Sequence, residues 1–306
     1  MRWPGGLALC LIASVAAAQE RGAPPAAPPA QDCDRLAGDP RDPDRVAPGV
    51  RVLRMDGARA LATCRAAVST YPNVPRFAYH MGRAYHALNK YAEAVEWFKK
   101  AAQADYAPAM SILGVFYAAG GGVEQSYDEA ARWYRKSAER GYAVGMYNLA
   151  ARYTDGQGVE RDFVQAVHWF EKAAAKGHIG AMEGLAYIYL RGEGVGRDYA
   201  KAVRWFEKAA AHGRADAMYH LGWAYDSGRG VKADGHTSGA WFVRALKAGD
   251  ARALDELTGS RSALWSTETR RAIQRQLARE GVYDGPINGA FGPATVAAVR
   301  ALAGSP

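Results

Sequence analysis

The 306-residue chain is poor in the residues that usually announce an enzyme or a membrane protein. It has three cysteines, and after its opening residues no apolar run approaches a bilayer span, which needs about 20 residues. The histidines, His80, His86, His168, His178, His212, His220 and His236, form no HExxH and no His/Cys metal spacing, and GxSxG is missing. The glycine-rich pieces, GEGVGRD among them, follow helical text, whereas a phosphate cradle needs a strand before it. Catalysis, a metal, a nucleotide or any other cofactor is therefore not expected. The formal charge of +8 is spread along the chain, so it reads first as a solvated surface.

What is present begins with MRWPGGLALCLIASVAAAQE: Arg2, an apolar stretch from Gly6 to Val15, then Ala16-Ala17-Ala18. This pattern predicts a secretory signal peptide, residues 1–18, cut after Ala18. Leu9 is bulky for lipoprotein processing at Cys10. Export leaves Cys33 and Cys64, which read as one disulfide or, failing that, as two buried thiols. A bridge closing a loop of about 30 residues would contribute about 2–4 kcal/mol. Residues 19–55 read as a Pro/Ala-rich leader followed by turn-rich, irregular chain. Asp56 is a candidate N-cap for a helix over 57–70, the capping helix of a segment 56–73.

The main feature is a period of 36 residues. Met110, Met146, Met182 and Met218 keep it, as do Leu113, Leu149, Leu185 and Leu221, then Tyr117, Tyr153, Tyr189 and Tyr225, and Trp133, Trp169, Trp205 and Trp241. Gly122, Gly158, Gly194 and Gly230 each precede a valine, and Gly141, Gly177, Gly213 and Gly249 close the copies. Within a copy the apolar residues fall at i, i+3, i+4 and i+7, twice, which predicts two amphipathic helices. Small residues at Gly114, Ala150, Ala186 and Gly222 allow close helix approach. One helix pair cannot bury its own stripe, so the copies must stack. WFEKAA recurs because each copy rebuilds the same seam. Glu171, Lys172, Glu207 and Lys208 are solvated face rather than acid/base pairs.

AMEGLAYIYLRGEGVGRDYAKAVRWFEKAAAHG and AMYHLGWAYDSGRGVKAD resemble Sel-1-like repeats, relatives of tetratricopeptide repeats, in four copies over 107–250. An earlier unit at about 74–106 lacks four loop residues and is similar to a tetratricopeptide repeat, and ARALDEL at 251–257 is a half-copy. The resemblance implies an all-α, right-handed superhelical solenoid over 74–260. Its concave groove would hold variable residues one and five positions after the repeated methionine: Ser111, Tyr147, Glu183 and Tyr219, then Val115, Ala151, Tyr187 and Trp223. Thr154, Asp155, Arg191 and Asp226 lie farther along. Tyr147, Tyr187, Tyr219 and Trp223 either grip a peptide or sugar chain or pack between neighbouring helices.

The tail, residues 261–306, has no such echo. LAREGVYDGPINGAFGPAT and AAVRALA resemble the small helical peptidoglycan-binding domain of cell-wall enzymes. Thr267 or Thr269 would open a helix burying Ile273 and Leu277. A second would start near Pro293, with Val296, Val299 and Leu302 inward and Phe291 between the two. Gly285, Gly289 and Gly292 would hold turns. Asn288 stands where the family usually has aspartate, and the sequence stops at Pro306, before the family's last helix. Arg279, Tyr283, Asp284 and Asn288 would touch the wall polymer, or the segment would pack on the solenoid end and bind nothing.

The reading is a non-enzymatic exported adaptor, expected to be a monomer without a transmembrane anchor. It would sit in the periplasm or outside the cell, binding a protein partner and peptidoglycan but no nucleic acid. The alternative is a periplasmic regulator or assembly factor acting through the solenoid alone, with the tail as a structural cap.

Overall fold

A computed structural model describes residues 31–43 and 45–304. The stretch expected to be a signal peptide, and the Pro/Ala-rich segment expected to follow it before residue 31, lie outside the described residues. Fifteen α-helices, and no strand, occur among the described residues: α1 Asp32–Ala37, α2 Gly57–Thr70, α3 Pro75–Ala87, α4 Tyr91–Gln103, α5 Ala107–Ala119, α6 Tyr127–Glu139, α7 Ala143–Asp155, α8 Phe163–Ala175, α9 Ile179–Arg191, α10 Tyr199–Ala211, α11 Ala215–Ser227, α12 Gly235–Lys247, α13 Ala251–Thr258, α14 Thr267–Arg279 and α15 Pro293–Ala303.

Helices α3 to α12 form five antiparallel pairs. The second helix of four pairs opens on a side-chain cap, where Ser126, Asp162, Asp198 and Asp234 accept from amides in the first turn. In the loop before it, Gly158 has φ of +73°, and a Cβ there would lie 1.9 Å from the Tyr127 carbonyl oxygen. Both facts exclude a side chain. Leu113, Leu149, Leu185 and Leu221 are fully buried, as are the rings of Phe98, Phe206 and Phe242. Gly114 and Gly222 give the closeness the repeat requires: a Cβ would come within 2.5 Å of Tyr134 and 2.9 Å of Phe242. One apolar cluster runs unbroken from Ala130 to Leu221, as expected of units that cannot bury their faces alone. The repeated tryptophans lie only half-buried at the surface, beneath cations: Lys100 over Trp97, Lys136 over Trp133, Lys172 over Trp169, Lys208 over Trp205 and Arg244 over Trp241, at 3.9–4.6 Å. The aromatic after each tryptophan fills the seam; the tryptophan covers it.

The N-terminal end corrects the expectation of irregular chain up to residue 55. α1 packs on α2 and α3, and the Cys33–Cys64 disulfide ties it to α2. Beyond α1 a loop, residues 38–50, closes on itself through Val50 N–H donating to Gly38 O at 2.8 Å. Buried charge holds it. Arg83, 3% exposed, donates to Ala37 O at 2.6 Å and Val50 O at 2.5 Å. Asp34 pairs with Arg76 at 3.1 Å, and Asp39 accepts from Tyr79 at 2.7 Å and from Arg41. A turn-rich stretch thus gains order from partners 33 to 46 residues away, which no local pattern reports.

The C-terminal end is continuous with the solenoid. Trp265 is 2% exposed, stacks on Phe242 of α12 at 4.4 Å, and meets Trp223 and Phe291 edge-on. α14 lies against α12 where the repeat changes its residues: Gly235 replaces Tyr127, Phe163 and Tyr199, and Gly239 replaces Ala131, Val167 and Val203. A Cβ on Gly239 would sit 2.7 Å from Ala272, and one on Gly235 2.7 Å from the Thr269 nitrogen. Asp226 accepts from Ser266 N–H and the Thr269 hydroxyl, at 3.1 and 2.6 Å. Solenoid and tail therefore share one core.

Candidate functional site: the solenoid groove and the C-terminal module

The groove residues sit on the first helices, α3, α5, α7, α9 and α11. α3 and α5 begin 32 residues apart, so Tyr79 and Arg83 occupy the registers of Ser111 and Val115. Both hold the 38–50 loop. Its tip continues across the next two pairs: Asp42 accepts from the Tyr106 hydroxyl, and Arg41 and Pro43 line a surface cavity of about 690 Å³ with Tyr142, Lys176 and His178.

Beyond the loop, residues of one copy meet residues of the next. Ser111 is buried and lies 3.5 Å from Asn148 Nδ2. Tyr147 is half-buried, stacked on His178 at 4.4 Å. Tyr187 donates to Asp216, with His220 Nε2 at 3.0 Å. Tyr219, 8% exposed, donates to Glu256 at 2.8 Å, and Trp223 Nε1 donates to the same carboxylate at 3.2 Å. Burial first, then the carboxylate partner, raise the Tyr219 phenol to about 12 and push the Tyr187 phenol higher still. Burial lowers His220. These hydroxyls are therefore hydrogen-bond donors at every ordinary pH, committed to the neighbouring copy.

Of the charged groove residues, Glu183 pairs with Arg214 at 2.6 Å. Arg191 is exposed beside Glu193, its guanidinium 5.4 Å from the Tyr187 ring. Thr154 bonds back to Ala151 O, and Asp155 lies 3.5 Å from Arg152. Asp226 is withdrawn from the groove by its bonds to Ser266 and Thr269. Val115 remains exposed at 42%. Of the expected groove residues, Val115, Asp155 and Arg191 are thus exposed, and Tyr147, Tyr187 and Trp223 are half-buried.

Reading each repeat alone missed Asn148, His220 and Glu256. They hold one register, 36 residues apart with Gly184 between, and each meets a side chain on the first helix of the preceding copy, Ser111, Tyr187 and Tyr219 in turn. That register could have exposed them.

In the tail the four expected contacts separate. Arg279, Asp284 and Asn288 are exposed. Tyr283 is 8% exposed and its hydroxyl donates to Pro286 O at 3.0 Å, within a knot formed by the fully buried Gln274. Gln274 takes the Gly289 amide at 2.7 Å and donates to Ala290 O at 2.9 Å. The Tyr283 ring is thus a core element and offers no outward platform. Asn288 Oδ1 accepts from Ala290 N–H at 2.8 Å, an Asx-type turn. Gly289 has φ of +79°, as its turn requires. Gly292 corrects the expectation: its φ is −85° and a Cβ there would meet nothing within 4 Å.

The model of the Sel1 repeat matches residues 77–106, 107–142, 143–178, 179–213 and 215–250, more than half of the chain. The chain belongs to the Sel1 repeat family. The model of the peptidoglycan binding domain matches residues 266–302 of this Sel1 repeat protein. Among solved structures it is similar to a protective antigen of uropathogenic Escherichia coli displaying an SLR fold, at 29% identity and a TM-score of 0.62, covering 83% of this chain and 59% of that one. It thus spans under two thirds of that antigen's length. It is also similar to a Sel1 repeat protein from Oxalobacter formigenes, at 28% identity and a TM-score of 0.55, covering 66% of this chain and 76% of that one. No curated protein matches the chain. No helix among the described residues is long and apolar enough to cross a membrane, and none of their His, Cys, Asp and Glu side chains cluster as a metal site.

Proposed function

We propose that this Sel1 repeat protein is an exported, non-enzymatic adaptor of the bacterial periplasm. The solenoid would hold a protein partner in its groove, and the C-terminal module would rest on peptidoglycan. The observation that carries the reading is the shared core of solenoid and tail around Trp265. A module that resembles a wall binder is fused rigidly to a scaffold of protein-binding type, so wall contact would fix how the groove is presented. Arg279, Asp284 and Asn288 are among its exposed polar side chains, and wall polymer offers carboxylates and amides to them.

Deleting the tail would expose Phe242 and Leu246, so it cannot serve as a clean test. The test is co-sedimentation of residues 19–306 with purified peptidoglycan, beside the folded triple variant Arg279→Ala, Asp284→Ala, Asn288→Ala. The wild type should pellet with the wall and the variant should stay in solution. Equal behaviour of the two rejects these residues as the contact. The buried Tyr283 supports the second reading, a solenoid-only regulator capped by its tail; that reading leads if neither protein pellets.

A further inference from the structure

The residue six positions after each repeated methionine points from the first helix of one pair toward the second helix of the pair before it. It is Phe116, Arg152, Ile188 and then Ala224. In α5, Phe116 is 4% exposed and its ring lies 5.1 Å from His86, 6.2 Å from Tyr91 and 5.4 Å from Phe98. In α9, Ile188 is 3% exposed. Three copies after Phe116, its register holds a methyl group. The residues at the registers of His86, Tyr91 and Phe98 are Leu190, Tyr199 and Phe206. They now line a cavity of about 290 Å³, together with Val203, Trp223 and Ala224.

The walls are mainly apolar and aromatic, with the Ser227 side chain among them. His220 stacks on Phe206 at 4.8 Å inside, and Arg229, exposed at the rim, lies 5.7 Å from the Tyr199 ring. Tyr219 and Trp223, two of the expected groove residues, also line the cavity.

We propose that this cavity is a side-chain pocket for an aromatic residue of a polypeptide partner, a phenylalanine flanked by a carboxylate. Phe116 is the mould: the chain fills the matching space of the first interface with its own phenyl ring, packed on the same kind of walls. A partner's ring would take that place beside Ala224, and Arg229 would meet the carboxylate. The proposal deepens the groove-binding reading and rests on it.

The test uses the mature chain and N-acetyl-4-fluoro-L-phenylalanine, with its N-methylamide as second probe, followed by fluorine NMR. The wild type should shift and broaden the probe resonance saturably, and bind the free acid more tightly than the amide. Ala224→Phe should melt at a higher temperature and bind the probe at least about tenfold more weakly. Ala224→Ile, the residue of the preceding copy, should do the same and stands in if the larger ring disturbs folding. Arg229→Ala should erase the preference for the free acid. Absence of saturable binding to the wild type overturns the proposal, as does undiminished binding to a folded Ala224→Phe or Ala224→Ile. Either result leaves the wall co-sedimentation untouched, so the two readings fail separately.

Discussion

The two ends of the solenoid meet one problem with opposite means. Each must cover an apolar face that no further repeat will bury. The N-terminal end uses a disulfide and buried charge: Cys33–Cys64, Asp34 with Arg76, and Arg83 clamping both limbs of the 38–50 loop. The C-terminal end uses aromatic stacking and missing side chains: Trp265 on Phe242, and α14 seated on Gly235 and Gly239. The first cap should therefore answer to reductant and acid, and the second chiefly to packing, with the carboxylates of Asp226 and Glu280 as lesser ties.

The sharpest break of that contrast is Trp265→Ala. Removing a buried indole shared by α12 and Phe291 should cost about 3–5 kcal/mol. Hydrogen exchange should rise in α14 and α15 while α1 and α2 keep their protection. Its counterpart is Cys33→Ser with Cys64→Ser. Loss of the cross-link should cost about 2–4 kcal/mol, read as faster exchange over residues 31–70 with α14 unchanged. Spread of either effect to the opposite end would refute the division.

Acid sharpens the comparison from the N-terminal side. Burial, aided by the charges of Arg83 and Arg76, lowers buried His80 from 6.5 to about 3, with Asp34 Oδ1 3.4 Å away. The folded protein keeps the imidazole neutral, whereas the unfolded chain takes up a proton as pH falls through 6.5. Stability present above that pH is lost on the way down, by about 2 kcal/mol near pH 5. Asp39 adds a later step. Burial opposes its ionisation, but the Arg41 hydrogen bond and the Arg83 charge prevail, lowering it from 3.8 to about 2. Its contribution is present above its ordinary value and is lost between about pH 4 and 2. As pH falls from 7 to 4, protection factors over α1 to α3, taken relative to the intrinsic exchange rate at each pH, should drop before those of α14. Gly239→Val restores the residue of Val167 and Val203 at the α14 seat. It should cost about 1–3 kcal/mol by overpacking, seen as a lower urea midpoint with the N-terminal cap unaffected.

Legibility followed the range of the interactions. The period of Met110, Leu113 and Tyr117 announced the helices because their cause lies within one turn and one copy. The solvated reading of Glu171 and Lys172 rested on the same ground. The groove was legible by register but not by partner. Tyr219 was visible as an aromatic, yet its role depends on Glu256, 37 residues on, in the half-copy. Tyr283 sat among plausible wall contacts until Gln274, buried in α14, drew its hydroxyl inward.

The sequence by itself determined the repeat, its helix pairs and the need to stack, since apolar spacing, capping residues and loop glycines act locally. It also carried, unread, the places where the repeat departs from itself: Gly235 and Gly239 under α14, and Ala224 in place of Phe116. Only the tertiary structure decided what those departures mean. A glycine or alanine says that space has been made. Whether a helix, a loop or nothing of the chain enters that space depends on segments brought together by the superhelix, and their approach is fixed by packing rather than by spacing along the chain.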